Sequence, residues 1–460
     1  MNEASTSTVR PVPRWLHWWA ILTAMWAFAV LVLGALVTTF QVGMSDPIWP
    51  TQPWFLLQNG WKEPRAGFLI EHSHRFAAFG IGGLVVILSL ALWARDPRKG
   101  TRRAGLAILV VLVAVFGLLH TTMRTHFALG EMLLDMQEMQ TQARLAESPP
   151  ELPRARIVAL EQIRAQAAAD PSVPLATVVE TVLKESLRRT EKNAEICEGI
   201  LVVAFGIIGL MGITSIAAGV PGSGLRLLGV FALGGVMVQG LLGGFRVKLN
   251  AKYGVDLAAI HGIMGQVMFS LLVALAVLTG RPRTWDTEEE AVRGRLHRLA
   301  TILVLVVFCQ LVWGAMIRHA PTPLMQRLHL LTAFVVVGVA VSLLMVGFRT
   351  INGRSVLGFG SVVLGLLLSV QVTLGEEAWI GKFTQYILPE MVPVTPEVAM
   401  IRTLHALIGS GVLATSVVLA IRTGRGRLLM NDAEAKAWAE KTGRMPQQVL
   451  VGSPQQGETS

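Results

Sequence analysis

The chain has 460 residues, of which 52% are hydrophobic and 15% charged; a soluble globular protein carries about 25% charged residues. Mean hydropathy is +0.55, and apolar runs of about 20 residues recur along the whole length, the signature of a multi-span helical membrane protein. The formal charge of +10 does not point to nucleic acid, because the basic residues sit between apolar runs, where membrane topology accounts for them.

Ten spans are predicted, at 15–38, 67–93, 104–121, 197–219, 225–245, 256–279, 297–318, 325–348, 355–375 and 399–421. The first is too long for a signal-peptide core and no small-residue cleavage site follows it, so it is read as a retained span. The connecting segments alternate in charge. "ARDPRKGTRR" (94–103), the ends of the 280–298 linker, the linker holding Arg349 and Arg354, and "RTGRGR" all fall on the N-terminal side. The opposite side has a nearly neutral 39–66 loop and a 376–398 loop with Glu376, Glu377, Glu390 and Glu397. The positive-inside rule then puts both termini in the cytoplasm, in the cell's inner membrane. One loop dissents: 246–255 carries Arg246, Lys248 and Lys252 on the outer side.

Residues 122–196 are polar and rich in Glu, Arg, Ala and Gln, with prolines at 149, 150, 153, 171 and 174. They read as two or three soluble helices projecting outward, "LPRARIVALEQIRAQAAAD" among them. Cys197 and Cys309 have no neighbouring partner in sequence, so neither a structural disulfide nor a CxxC motif is expected.

An internal repeat organises the rest. "LVLGALVTTF" (31–40) matches "LVWGAMIRHA" (311–320), "VQGLLGGFRV" (238–247) matches "VQVTLGEEAW" (370–379), and "IHGIMGQ" (260–266) matches "LHALIGS" (404–410). The halves look like two copies of a four-span unit in the same orientation, related by an axis along the membrane normal. The expected fold is therefore all-α and integral to the bilayer, with two pseudo-symmetric four-helix bundles. The division is 1–103 and 220–280 for the first bundle, 281–422 for the second, 104–219 for an insertion, and 423–460 for a cytoplasmic tail. His74 and His261 are 187 residues apart, about 71 once the insertion is discounted, against 76 between His329 and His405.

Those four of the ten histidines fall on the second and fourth helix of each copy, several residues below the outer boundary. A pair of neutral imidazoles from opposite helices suits six-coordinate haem iron. Zinc would want three or four ligands, and a proton relay would not need two matched pairs. Glycines near the histidines (Gly262, Gly265, Gly409, Gly411) would let helices or a flat macrocycle approach closely. His17, His297 and His319 read as interfacial, His120 and His126 as flanking an inserted span, and His72 as facing away from His74.

The run "EHSHR" places Glu71 three residues before His74 on one helix face. The second copy has "QRLH", with Gln326 at the Glu71 position. One pocket has a carboxylate and the other a neutral amide, which points to chemistry in the first bundle and electron transfer in the second. A salt bridge from Glu71 to Arg75 is the plainer role for the acid. Arg75, Arg246, Lys248 or Arg327 could pair with haem carboxylates.

The ordered set "GALVTTFQVGMSDPIWPTQPW", "EHSHR", "QGLLGGFRV", "IHGIMGQ", "QLVWGAMIRHA", "QRLHLL" and "TLHALIGS" resembles the heme A synthase family. That resemblance implies an eight-span pseudo-symmetric fold with heme B in the second half. It implies a first half that takes heme O and oxidises one ring methyl to a formyl group, giving heme A for terminal oxidases. It maps a catalytic glutamate to Glu71 and the iron ligands to His74, His261, His329 and His405. Its implied partners are heme O synthase and the cytochrome oxidase assembly machinery; the reading is also compatible with a homo-oligomer. The chain departs from the family in lacking the cysteine pair some members carry in the first outer loop, and in its two extra spans. Two other classes stay open from the residues alone: a di-haem electron carrier between quinone and an outer acceptor, and a transporter built on a parallel repeat.

Overall fold

The computed structural model describes residues 12–45, 66–145, 175–280, 287–350, 356–384 and 395–428. Over these the chain is helical, with ten helices long and apolar enough to cross a membrane. They are α1 (Arg14–Thr39), α2 (Ala66–Trp93), α3 (Lys99–Leu145), α4 (Leu175–Ala217), α5 (Ser223–Lys248), α6 (Asn250–Thr279), α7 (Thr287–His319), α8 (Pro323–Thr350), α9 (Val356–Phe383) and α10 (Pro396–Leu428). The protein is an all-α integral membrane protein. Many large apolar side chains are exposed, as at Phe334, Phe359 and Leu366, which suits surfaces that meet acyl chains.

The chain divides into two compact units, one of residues 1–106 and 211–460, the other of 107–210. In the first, α1, α2, α5 and α6 form a closed ring of neighbours, and α7, α8, α9 and α10 form a second. The two rings meet through α1 against α10, α6 against α10 and α6 against α7. Lipid is as apolar as leucine, so such contacts depend on close packing and hydrogen bonds. On α1, the indoles of Trp19 and Trp26 donate to the carbonyls of Leu84 (3.0 Å) and Ala77 (2.8 Å) on α2. Gly80 lies directly beneath the Trp26 ring, where a β-carbon would come within 2.8 Å of it. In the second unit, Met136, Val179 and Leu183 form a small core with Leu129 and Leu133. The His126 imidazole meets Thr190 Oγ1 at 2.9 Å.

Three sequence expectations change. The inserted spans do not stop at 121 or begin at 197, because α3 continues to Leu145 and α4 starts at Leu175. Polar residues rich in Ala, Glu and Gln keep helix propensity once hydropathy has fallen, so the hydropathy edge is not the helix edge. The segment 152–170 lies outside the described residues. Glu376 and Glu377 are not in a loop but inside α9, both on its exposed side. The 246–255 loop shrinks to a kink, since α5 ends at Lys248 and α6 begins at Asn250, with Tyr253 out of helical geometry.

Away from the histidine pairs, Asp96 is fully buried in the turn after α2. Its carboxylate accepts from Arg98 Nη2 at 3.0 Å and pairs with Arg226 Nη2 at 3.2 Å. Burial opposes ionisation of Asp96, but the Arg98 hydrogen bonds and the Arg226 charge outweigh it and hold the carboxyl below its usual range. Its stabilisation is thus present above the ordinary carboxylate pKa and fades as pH falls through the lowered native value. Asp96→Asn leaves the buried Arg226 without a counter-charge. The expected loss is about 3–5 kcal/mol in thermal unfolding at neutral pH, narrowing in strong acid.

Candidate functional site

Each imidazole of the four is set by two neighbours on the adjacent helix. On α2, His74 Nδ1 lies 3.1 Å from the Val30 carbonyl of α1. On α8, His329 Nδ1 lies 3.1 Å from the Gln310 carbonyl of α7. Val30 and Gln310 are repeat equivalents, four residues before Gly34 and Gly314. An Nδ1–H donated to a carbonyl fixes the tautomer and leaves Nε2 as the ligating nitrogen. Gln310 also accepts from Thr332 through its side chain. On α6, His261 Nε2 faces the Gln239 amide at 3.3 Å, and on α10 His405 Nε2 faces the Gln371 amide at 3.4 Å. The Nδ1 atoms of His261 and His405 are buried with no hydrogen-bond partner among the described residues. An orphaned buried polar atom costs about 1–3 kcal/mol, and a bound group is what would relieve it.

Across each bundle the rings face one another. Centroids are 6.5 Å apart for His74 and His261, with planes at 82°, and 6.3 Å apart for His329 and His405, at 74°. An iron–nitrogen bond of about 2 Å on each side, plus roughly 1.2 Å from ring nitrogen to ring centre, spans about 6.4 Å. Both centroid separations match that length. Among the described residues no group of three or more His, Cys, Asp or Glu is placed to hold a metal ion; each bundle brings two imidazoles together, a pair that could serve a six-coordinate haem iron.

The glycines that matter are not the ones on the histidines' own helices. Gly262 faces open space, and Gly265, Gly409 and Gly411 pack on glutamine or leucine side chains. A β-carbon on Gly34 would lie 3.0 Å from His74 Cε1, on Gly314 3.2 Å from His329, on Gly375 2.9 Å from His405, and on Gly243 3.4 Å from His261. Gly34 and Gly314 are repeat equivalents, as are Gly243 and Gly375. The signal lay in the repeat itself: these glycines are shared positions of the matched segments.

The first pocket adds charge. Glu71 is 4% exposed and accepts from Arg75 Nη2 at 2.6 Å, an i,i+4 pair along α2. Arg246, from the end of α5, reaches over Gly43 and lies within electrostatic range of Glu71 and both imidazoles. The acid expected at this site and both basic residues named with it thus come together. The second copy has Gln326, Leu330 and Ala378 at these positions. His72 is buried and stacked on Phe68, centroids 5.3 Å apart.

The chain matches no protein-family model, no curated protein and no solved structure.

Filling the cradles tests their tightness. Gly34→Val and Gly375→Val force the facing imidazole to move and should each lower stability by about 1–3 kcal/mol. Gly243→Ala, whose β-carbon would meet His261 at ordinary contact distance, should be neutral or stabilising by up to about 1 kcal/mol. Thermal unfolding in detergent separates the two outcomes.

Proposed function

We propose that the chain is a heme A synthase: it oxidises a ring methyl of heme O to a formyl group in the first bundle, with a heme B held in the second. The observation that carries this reading is the pair of iron-width gaps, each closed by two imidazoles at repeat-equivalent positions. The carboxylate found beside only one of them supports the division of labour.

In this reading His74 and His261 bind the iron of the substrate heme O, and His329 and His405 hold the heme B, which supplies one-electron redox chemistry. Converting methyl to formyl with water as the oxygen source releases four electrons and four protons, so a one-electron acceptor on the outer side must drain the site. Glu71 is the residue available to stabilise positive charge developing on the oxidised carbon and to take a proton as water adds. Arg75 holds that carboxylate in one place, and Arg246 adds a second cation at the mouth. The haem carboxylates would be recognised by these guanidiniums. The basic connecting segments support an orientation with both termini cytoplasmic, the inner membrane is the location this reading expects, and the implied partners are a heme O donor and the oxidase that receives heme A.

A second reading has its own support. The two histidine pairs are nearly identical in spacing and tethering, as a di-haem electron carrier between quinone and an outer acceptor would have them.

Acid-acetone extraction of the purified protein, followed by chromatography, separates the readings. Heme O or heme A beside heme B supports the synthase, heme B alone supports the carrier, and no haem rejects both. Glu71→Gln should cut heme A formation by roughly 10²–10⁴-fold while haem stays bound. Unimpaired formation would show that Glu71 is not the acid.

A further inference from the structure

Three residues before each candidate iron ligand stand Glu71 on α2, Ala258 on α6, Gln326 on α8 and Arg402 on α10. Positions three apart share a helix face, so each lies one turn from its histidine, toward the same end of the bundle. Arg402 and Ala258 are repeat equivalents, and so are Arg246 and Ala378. Each copy therefore brings an arginine to this end of its histidine pair, but from a different helix: α5 in the first and α10 in the second. The duplicated frame imposes neither, since the equivalent of each is an alanine.

Arg402 is half-buried, and its side chain turns toward α9. Its Nη2 lies 3.5 Å from the Gly381 carbonyl, six residues along α9 from Gly375, the glycine on which His405 packs. Both contacts lie within the second ring of helices. Its Nε is buried with no hydrogen-bond partner among the described residues. The turn that carries it is fixed, because Thr403 Oγ1 meets Thr39 Oγ1 of α1 at 2.9 Å. Arg318, at the end of α7, donates to the same threonine and, at 2.8 Å, to the Ala35 carbonyl.

A buried donor without an acceptor is costly. A guanidinium held by one long contact, with its Nε unmatched, has donors left for an anion, and a carboxylate fits such a planar edge at two points. Haem carries its two carboxylates on one edge of the ring. A macrocycle held only by two axial bonds can turn about the line between them, and an ion pair at its edge selects one orientation.

We propose that Arg402 binds a carboxylate of the haem held by His329 and His405, as the second pocket's counterpart of Arg246, and so fixes which way that haem faces. This rests on the haem-binding reading above.

The test compares heme B with heme B dimethyl ester, which has the same iron but blocked carboxylates. The parent is full-length protein carrying His74→Ala and His261→Ala, which removes both ligands of the first pocket, produced without haem and titrated with each. It should bind heme B at least about tenfold more tightly than the ester. Adding Arg402→Gln should weaken heme B binding roughly 10- to 100-fold and leave ester binding unchanged. Arg402→Lys keeps the cation and should recover part of the preference. Equal affinity of the parent for acid and ester, or an equal loss of both in Arg402→Gln, overturns this inference alone. A wild-type protein that takes up no haem overturns it together with the function it rests on. Should Arg402→Gln fail to accumulate, Arg402→Ala, which matches Ala258 of the first copy, gives the same comparison with the same outcomes.

Discussion

Everything near the site depends on the gap between two imidazoles. At 6.5 Å and 6.3 Å between ring centres, the rings are too far apart to bond each other and too close to admit a bulky side chain between them. Holding that gap inside lipid is a packing problem, because no hydrophobic force draws one apolar helix to another. Glycine meets it at two levels. Gly34, Gly314, Gly243 and Gly375 let neighbouring backbones approach, and each leaves the space that an imidazole occupies. The carbonyls of Val30 and Gln310 then turn two of the rings so that one nitrogen is engaged and the other is left for a ligand. Remove either device and the rings can rotate out of register.

On this duplicated frame the two halves have diverged in charge rather than in shape. The backbone carbonyl, the facing glycine and the amide of Gln239 or Gln371 recur at equivalent positions. Glu71, Arg75 and Arg246 do not: their equivalents are an amide, an aliphatic side chain and a methyl group. A carboxylate and two guanidiniums are costly to bury and are retained where they act on protons or charge. Fold duplication accounts for the two matched histidine pairs; only the unmatched side chains could give the two places different tasks.

The sequence exposed much of this. Hydropathy marks the ten spans because a bilayer leaves the backbone no other arrangement, and the repeat pairs the helices that the structure packs into two rings. Helix ends were less legible: α3 and α4 run far past their apolar windows, since helix propensity outlasts hydropathy at Ala, Glu and Gln. Gly265 and Gly409 do pack closely on neighbouring helices, but the glycines that face the rings were not legible, for a geometric reason. A ring is crowded by the helix across from it, so the relevant glycines are remote in sequence from the histidines they face. The partners of Arg318, at the end of α7, were hidden for the same reason, since Ala35 and Thr39 lie 283 and 279 positions away.

Repetition of a histidine is not in itself a sign of ligation. His17 and His297 are also repeat equivalents, and both were read from sequence as interfacial. His17 Nδ1 lies 3.3 Å from Thr279 Oγ1, and His297 Nδ1 lies 3.0 Å from the Ala420 carbonyl and 3.5 Å from Thr423 Oγ1. Gly280 and Gly424, at the far ends of α6 and α10, lie against these rings as Gly34 and Gly314 lie against the others. The same imidazole, hydrogen bond and glycine therefore recur at both ends of each bundle. At one end they clasp the first helix to the last, with no second imidazole paired to them among the described residues. At the other end a ring from the opposite helix completes the pair. What separates a candidate ligand from a clasp is the partner across an iron-wide gap, and the clasp serves that gap by pinning the end of the helix pair farthest from it.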